Sequence, residues 1–143
     1  DLPVRAPKKK RPVKRTLAYL IIHDDALFLK TRPDNAILGG MITPPMSPWQ
    51  KRRGFPDPDP ALIDASVARS HNIIMPAVHH VFTHLELRAR PVIVHLISPD
   101  GFTLNETDQS GSSAQWYPLD DLDLDHLPSL TRKILRRGLA KRF

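Results

Sequence analysis

Between Val78 and Leu87 the chain sets three histidines, a threonine and a phenylalanine within six residues: His79, His80, Phe82, Thr83 and His84. Imidazoles at this density could suggest a zinc site. The intervening hydroxyl both donates and accepts hydrogen bonds. Zinc is a weak reading here. The chain has no cysteine and no acid at matching spacing, so neither a thiolate-held metal nor a thiol nucleophile exists within it. No catalytic set is expected in these residues. Gly39-Gly40 is not a phosphate loop, because no Lys-Ser/Thr pair follows it and it opens no helix.

The second chemical signal is charge. Of the 21 basic residues, seven lie in residues 1–15 against one of the 15 acids, so the whole formal charge of +6 sits in that segment. Arg5, Lys8, Lys9, Lys10, Arg11, Lys14 and Arg15 are interleaved with Pro3, Pro7 and Pro12. Proline removes backbone donors and favours extended chain, which predicts a semi-rigid basic linker facing a polyanion. Seven cations would neutralise up to about seven phosphates, for a salt slope no steeper than roughly −6. Lys51-Arg52-Arg53 forms a smaller basic group within a proline-rich stretch, Pro45 to Pro60, that reads as a long surface loop.

Positioning these groups requires a scaffold, and the hydrophobic pattern describes one. Leu17–His23 and Ala26–Arg32 are strand-length apolar runs joined by Asp24-Asp25, a tight hairpin, and Leu38–Thr43 is a third strand ended by Pro44-Pro45. Asp59 offers an N-cap and Pro60 a first helical residue, with Leu62, Ile63 and Val67 on the inward side of a helix running to about Ser70. From Val78 the pattern is β again. Leu85, Leu87 and Ala89 alternate with Glu86, Arg88 and Arg90, and Pro91 predicts a bulge or break before Val92–Ile97. Pro99-Asp100-Gly101 marks a turn, and residues 105–113 are polar and Gly/Ser-rich. Gln115–Pro118 is a short strand, and Leu127, Leu130, Ile134 and Leu135 give a last helix one buried face. Strands around a central helix, closed by a terminal helix, make an α+β sandwich of one domain. The expected division is a linker at 1–15 and a folded body at 16–143. No apolar run approaches the roughly 18 residues that span a bilayer, and no secretory leader is read at the start, so an intracellular soluble domain is expected.

Two stretches taken together are similar to a known pattern: Leu29-Lys30-Thr31-Arg32-Pro33 with Ile37-Leu38-Gly39-Gly40-Met41, and His79-His80-Val81-Phe82-Thr83-His84-Leu85-Glu86-Leu87. Preceded by Arg5-Ala6-Pro7-Lys8-Lys9-Lys10 and followed by Trp116-Tyr117-Pro118-Leu119 and the Leu-Pro-Ser-Leu of 127–130, they resemble the C-terminal domain of the adenine DNA glycosylase family called MutY. The resemblance implies a Nudix (MutT-like) α/β/α sandwich with a mixed sheet. It further implies a domain that reads 8-oxoguanine opposite adenine in double-stranded DNA, in base excision repair. A separate N-terminal catalytic domain, carrying a 4Fe-4S cluster and removing the adenine, would be its covalent partner. Phe82 would wedge beside the lesion, Thr83 would bond its oxidised edge, and His84 would hold the adjacent phosphate. Lys8, Lys9, Lys10, Arg11, Lys14, Arg15, Lys51, Arg52 and Arg53 would contact the DNA backbone. No cofactor or metal is expected in this chain, nor a membrane partner. A monomer in the bacterial cytoplasm, at the nucleoid, is the implied setting. Relatives often carry serine where Thr83 stands; threonine keeps the hydroxyl and adds a methyl group.

The main alternative is a stand-alone Nudix-type hydrolase of nucleoside diphosphate derivatives. That chemistry uses several glutamates in and before the first helix to hold divalent metal. This chain has only Glu86 and Glu106, and Asp57, Asp59 and Asp64 are the sole acids between Leu38 and Ala77. A non-catalytic protein-interaction domain is the third reading.

Overall fold

The computed structural model describes residues 11–32, 40–58, 73–96 and 113–139. These hold β1 (Val13–His23), β2 (Ala26–Thr31), β3 (Ile42–Thr43), β4 (Ile73–Ile74), β5 (Val78–Val81), β6 (Glu86–His95), β7 (Ser113–Pro118) and α1 (Ser129–Gly138). The expected central helix and the polar 105–112 stretch lie outside the described residues, as do Lys8, Lys9 and Lys10. No described helix is long and apolar enough to cross a membrane.

The strands form one mixed sheet, ordered β3-β2-β1-β6-β4, with β5 on β6 and β7 on β2. β1 and β6 are its parallel centre, in register from Val13↔Glu86 to Ile22↔His95. Because β1 is central it is buried on both faces, and its continuous apolar run Leu17–Ile22 follows from that. Ala18, Leu20, Ile22, Leu87 and Ala89 pack on one face beneath Leu130, Ile134 and Leu135 of α1. Leu17, Tyr19, Ile21, Val92 and Val94 form the opposite face, covered in part by Phe28, Phe55 and Trp116. The α+β class with a mixed sheet is as expected.

Three local findings refine the sequence reading. β1 begins at Val13, so the sheet takes up the last three residues of the basic segment, including Lys14 and Arg15. Leu38–Thr43 contributes only Ile42–Thr43 as described strand, after Gly40 turns with φ 76°. The break expected at Pro91 does not occur: β6 runs unbroken through it, with Pro91 opposite Ala18. The reason is the partner on the other side. β5 pairs β6 over Glu86–Ala89 and β4 over Val92–Ile93, so Pro91 falls at the seam between them. Its carbonyl accepts from Met75 N at 2.9 Å, which places its missing N–H at a seam that asks for no donor.

The segment after β3 is laid along β1 by buried hydroxyls. Thr16 Oγ1 donates to the Ser47 carbonyl at 2.7 Å, and Ser47 Oγ accepts from Leu17 N at 2.9 Å. Paired backbone bonds between Arg15 and Gln50 extend this contact to the end of the sheet.

Candidate nucleic-acid interface

β5 and β6 join through the four residues 82–85. Val81 pairs Glu86, Phe82 N donates to the Leu85 carbonyl at 2.7 Å, and Thr83 and His84 form the exposed tip. Neither tip residue has a positive φ. Instead the tip is held from outside. Arg11 Nε donates to the Thr83 carbonyl at 3.3 Å, and Glu86 N donates to the Pro12 carbonyl at 3.0 Å. The parallel β1–β6 register makes this possible, because it brings the starts of both strands to one end of the sheet.

Phe82 is half-buried and packs against the α1 side of the core. Its ring meets His80 edge-on, with centroids 4.7 Å apart and planes at 65°. His80 is itself fixed from α1: Lys133 Nζ lies 3.1 Å from His80 Nδ1 and donates to the His79 carbonyl at 3.2 Å. An ammonium can only donate, so Nδ1 is the acceptor and the imidazole is neutral. Partial burial, and then the Lys133 charge, hold the His80 pKa below its ordinary value. Lys133 also borders a groove of about 800 Å³ with Met75, Val78, His79, Arg136 and Arg137.

The structure therefore gathers Thr83, His84 and Arg11, with Phe82 supporting the turn from below as well as bordering it. Arg15 lies farther along β1 and joins the other basic group. Its Nη1 donates to the Arg52 carbonyl at 3.1 Å, and Gln50 Nε2 donates to the Gly54 carbonyl at 2.9 Å, closing a turn with Lys51, Arg52 and Arg53 exposed at its tip. Gly54 takes φ 84°, a conformation glycine reaches without Cβ strain. Among the described residues no three His, Cys, Asp or Glu side chains converge on a point where a metal ion would sit. The histidines of the cluster diverge: His79 and His84 are exposed, while His80 is engaged with Phe82 and Lys133.

Sequence reasoning passed over Arg88, Arg90 and Phe55. Arg88 Nε donates to Glu86 Oε2 at 2.6 Å, and the Arg90 guanidinium lies 4.1 Å from the Phe55 ring centroid. The Arg-Ala-Arg alternation was the available signal, and alternation alone reads as an ordinary polar face. Chemically, these groups are cationic forks, a hydroxyl and imidazoles, donors that suit an anion, with Phe82 and Phe55 beside them.

No curated protein matches the chain. The chain is similar in structure to a MutT NUDIX hydrolase from Burkholderia pseudomallei, at 17% identity and a TM-score of 0.53, over 87% of this chain and 97% of that one. It is similar to the C-terminal domain of mouse MUTYH, solved in complex with human PCNA, at 13% identity and a TM-score of 0.58, over 90% and 89%. A C. elegans Ap4A hydrolase is similar at 14% identity and a TM-score of 0.52, over 89% and 96%. At these identities the likeness is one of fold. The model of the NUDIX domain matches residues 17–137, nearly all of the sheet and α1, and the chain belongs to that family, with the Nudix fold.

Proposed function

We propose that this chain is a lesion-reading domain of an adenine-specific DNA glycosylase, recognising 8-oxoguanine opposite adenine in duplex DNA. A separate N-terminal catalytic domain, with its iron–sulfur cluster, would excise the adenine. The observation that carries the reading is the Arg11–Thr83 contact, which ties the basic segment to the tip of an exposed, hydroxyl-bearing turn.

Oxidation at C8 turns guanine N7 from an acceptor into a protonated donor and adds O8 as an acceptor. Thr83 Oγ1 accepts from N7–H, and the turn's N–H groups and the same hydroxyl donate to O8. His84 faces the adjoining phosphate. Phe82, clamped between His80 and the core, meets the neighbouring base step with its exposed edge. Unstacking that step costs a few kcal/mol, offset by the new contacts. Arg11, Arg15 and the 51–53 turn, with Lys8, Lys9, Lys10 and Lys14, contact phosphates and so position the duplex without reading it.

Membership of the NUDIX family also supports a hydrolase reading, and the composition argues against it. Glu86 and Glu106 are the only glutamates, and Glu86 is engaged by Arg88. Magnesium-dependent turnover of nucleoside diphosphate derivatives by this chain would reinstate that reading.

The test measures binding of the chain to an 8-oxoguanine:adenine duplex against guanine:adenine. A preference of roughly tenfold to a hundredfold is expected, as for one well-placed base contact. Phe82→Ala with Thr83→Ala should abolish it. Equal affinity for both duplexes, or a preference that survives the double substitution, removes the turn from recognition.

A further inference from the structure

Register and alternation place three arginines on one face of the sheet. Leu17 and Tyr19 of β1 and Val92 of β6 belong to the face opposite α1, so Arg15, Arg88 and Arg90 lie on it too. Arg15 and Arg88 are direct partners across β1 and β6, and Arg90 is the next residue on the same face. Like charges set side by side on neighbouring strands oppose pairing. Among the described residues one carboxylate answers them, Glu86, and it is committed to Arg88 at 2.6 Å.

Among the described residues the other two guanidinium groups have no acid. Among the described residues the Arg15 guanidinium donates only to the Arg52 carbonyl, which brings the backbone of a further basic turn alongside. Arg90 lies over Phe55, and its Nε is buried with no hydrogen-bond partner, the one such side-chain atom among the described residues. A ring face attracts the cation but accepts no N–H in the guanidinium plane, so the buried Arg90 Nε is left without an acceptor and the charge of the group is not answered. Two uncompensated arginines beside a third are a seat for an anion with several acceptor oxygens.

We infer that Arg15, Arg88 and Arg90, over the Phe55 ring, form a phosphate-binding site on the sheet face opposite α1, distinct from the exposed 83–84 tip. A phosphate group at the Nη end of Arg90 accepts from it and from an Arg15 or Arg88 donor together, and it cancels the repulsion within the cluster. The source of the phosphate, a duplex backbone or a free nucleotide, rests on the DNA-reading proposal; the site does not.

Inorganic pyrophosphate is the first probe, titrated by calorimetry into the whole chain. Saturable millimolar or tighter binding is expected, weakened at least tenfold by Arg90→Gln and by Arg15→Gln. The Arg15 variant leaves the Phe55 stack in place and guards against a folding artefact. Absence of binding at millimolar pyrophosphate, or equal affinity in folded variants, overturns the site.

The second probe is an undamaged duplex. Competition by pyrophosphate, with a salt slope flatter by about one per arginine lost, assigns the phosphate to DNA. Pyrophosphate binding without competition supports the site and assigns it to a free nucleotide. Loss of lesion preference in the unmodified chain would strike only the proposed function, because the pyrophosphate arm does not depend on it.

Discussion

Two turns cap opposite ends of the β1–β6 ladder and are held in different ways. Asp24-Asp25, between β1 and β2, adopts φ 49° and 59° at both residues, the left-handed pair that matches the twist of a two-residue hairpin. That conformation is a local tolerance of the two aspartates, and Leu119 N adds one distant hydrogen bond to the Asp25 carbonyl at 2.8 Å. Thr83-His84 has no such preference. Its shape is supported by Arg11, 72 positions earlier, and by Phe82 set edge-on to a histidine that α1 holds through Lys133. The first turn is acidic and repels phosphates; the second is flanked by cations. A turn built from distant contacts can be tuned for a ligand, whereas one built from its own backbone preference is mainly a closure.

The contrast can be broken most strongly from beneath. Leu20 is fully buried between the two ends, and Leu20→Ala should lower stability by about 2–5 kcal/mol in chemical denaturation. A loss under 1 kcal/mol would mean the core is not shared. Gly138 gives the next largest effect. A Cβ there would collide with Leu20 Cδ1 and lie 3.3 Å from Pro91 Cβ, so Gly138→Ala should cost about 1–3 kcal/mol by pushing α1 off the sheet. Because α1 carries Lys133, amide exchange at the 82–85 turn should rise in that variant while the 24–25 turn stays protected.

Arg11→Ala acts on one turn only. Losing a single hydrogen bond should cost about 0.5–1.5 kcal/mol at most, and less at this exposed site. Duplex affinity should fall with it and the salt slope should flatten by about one. Affinity unchanged would separate Arg11 from the interface. The smallest effect belongs to Asp24→Asn, which keeps the left-handed preference and removes only an exposed partner of His23 at 3.3 Å. Stability should change by no more than about 0.5 kcal/mol, with duplex affinity unchanged or slightly raised.

Acid should also distinguish the turns. The His80 pKa is lower in the folded chain than its ordinary 6.5, so the unfolded chain binds its proton more readily. Stability from His80 is therefore complete above pH 6.5 and falls as the pH drops below that toward its folded pKa. Lys133→Met should narrow this window. NMR titration of His80 that gives an ordinary or raised pKa would contradict the Lys133 contact.

Much of this was open to reading along the chain. The strands of the first hairpin, the buried face of the last helix and the location of the positive charge follow from spacing and side-chain chemistry, because each depends on neighbours within a few residues. The resemblance carried by 79–87 and 29–41 pointed to the Nudix fold for the same reason: it is a local string of residues. Pro91 was misread because its tolerance depends on which strand lies beside it, and a seam between β4 and β5 exists only in three dimensions.

The amino-acid sequence alone settled the absence of cysteine chemistry, the scarcity of glutamate, the basic first segment and the β-rich patterning with its terminal helix. Folding decided what those residues mean together. Parallel pairing of β1 with β6 put Arg11 on Thr83 and Arg15 beside Arg88, residues more than 70 positions apart. No periodicity encodes such a meeting, since it arises from the pairing of two strands far apart in the sequence.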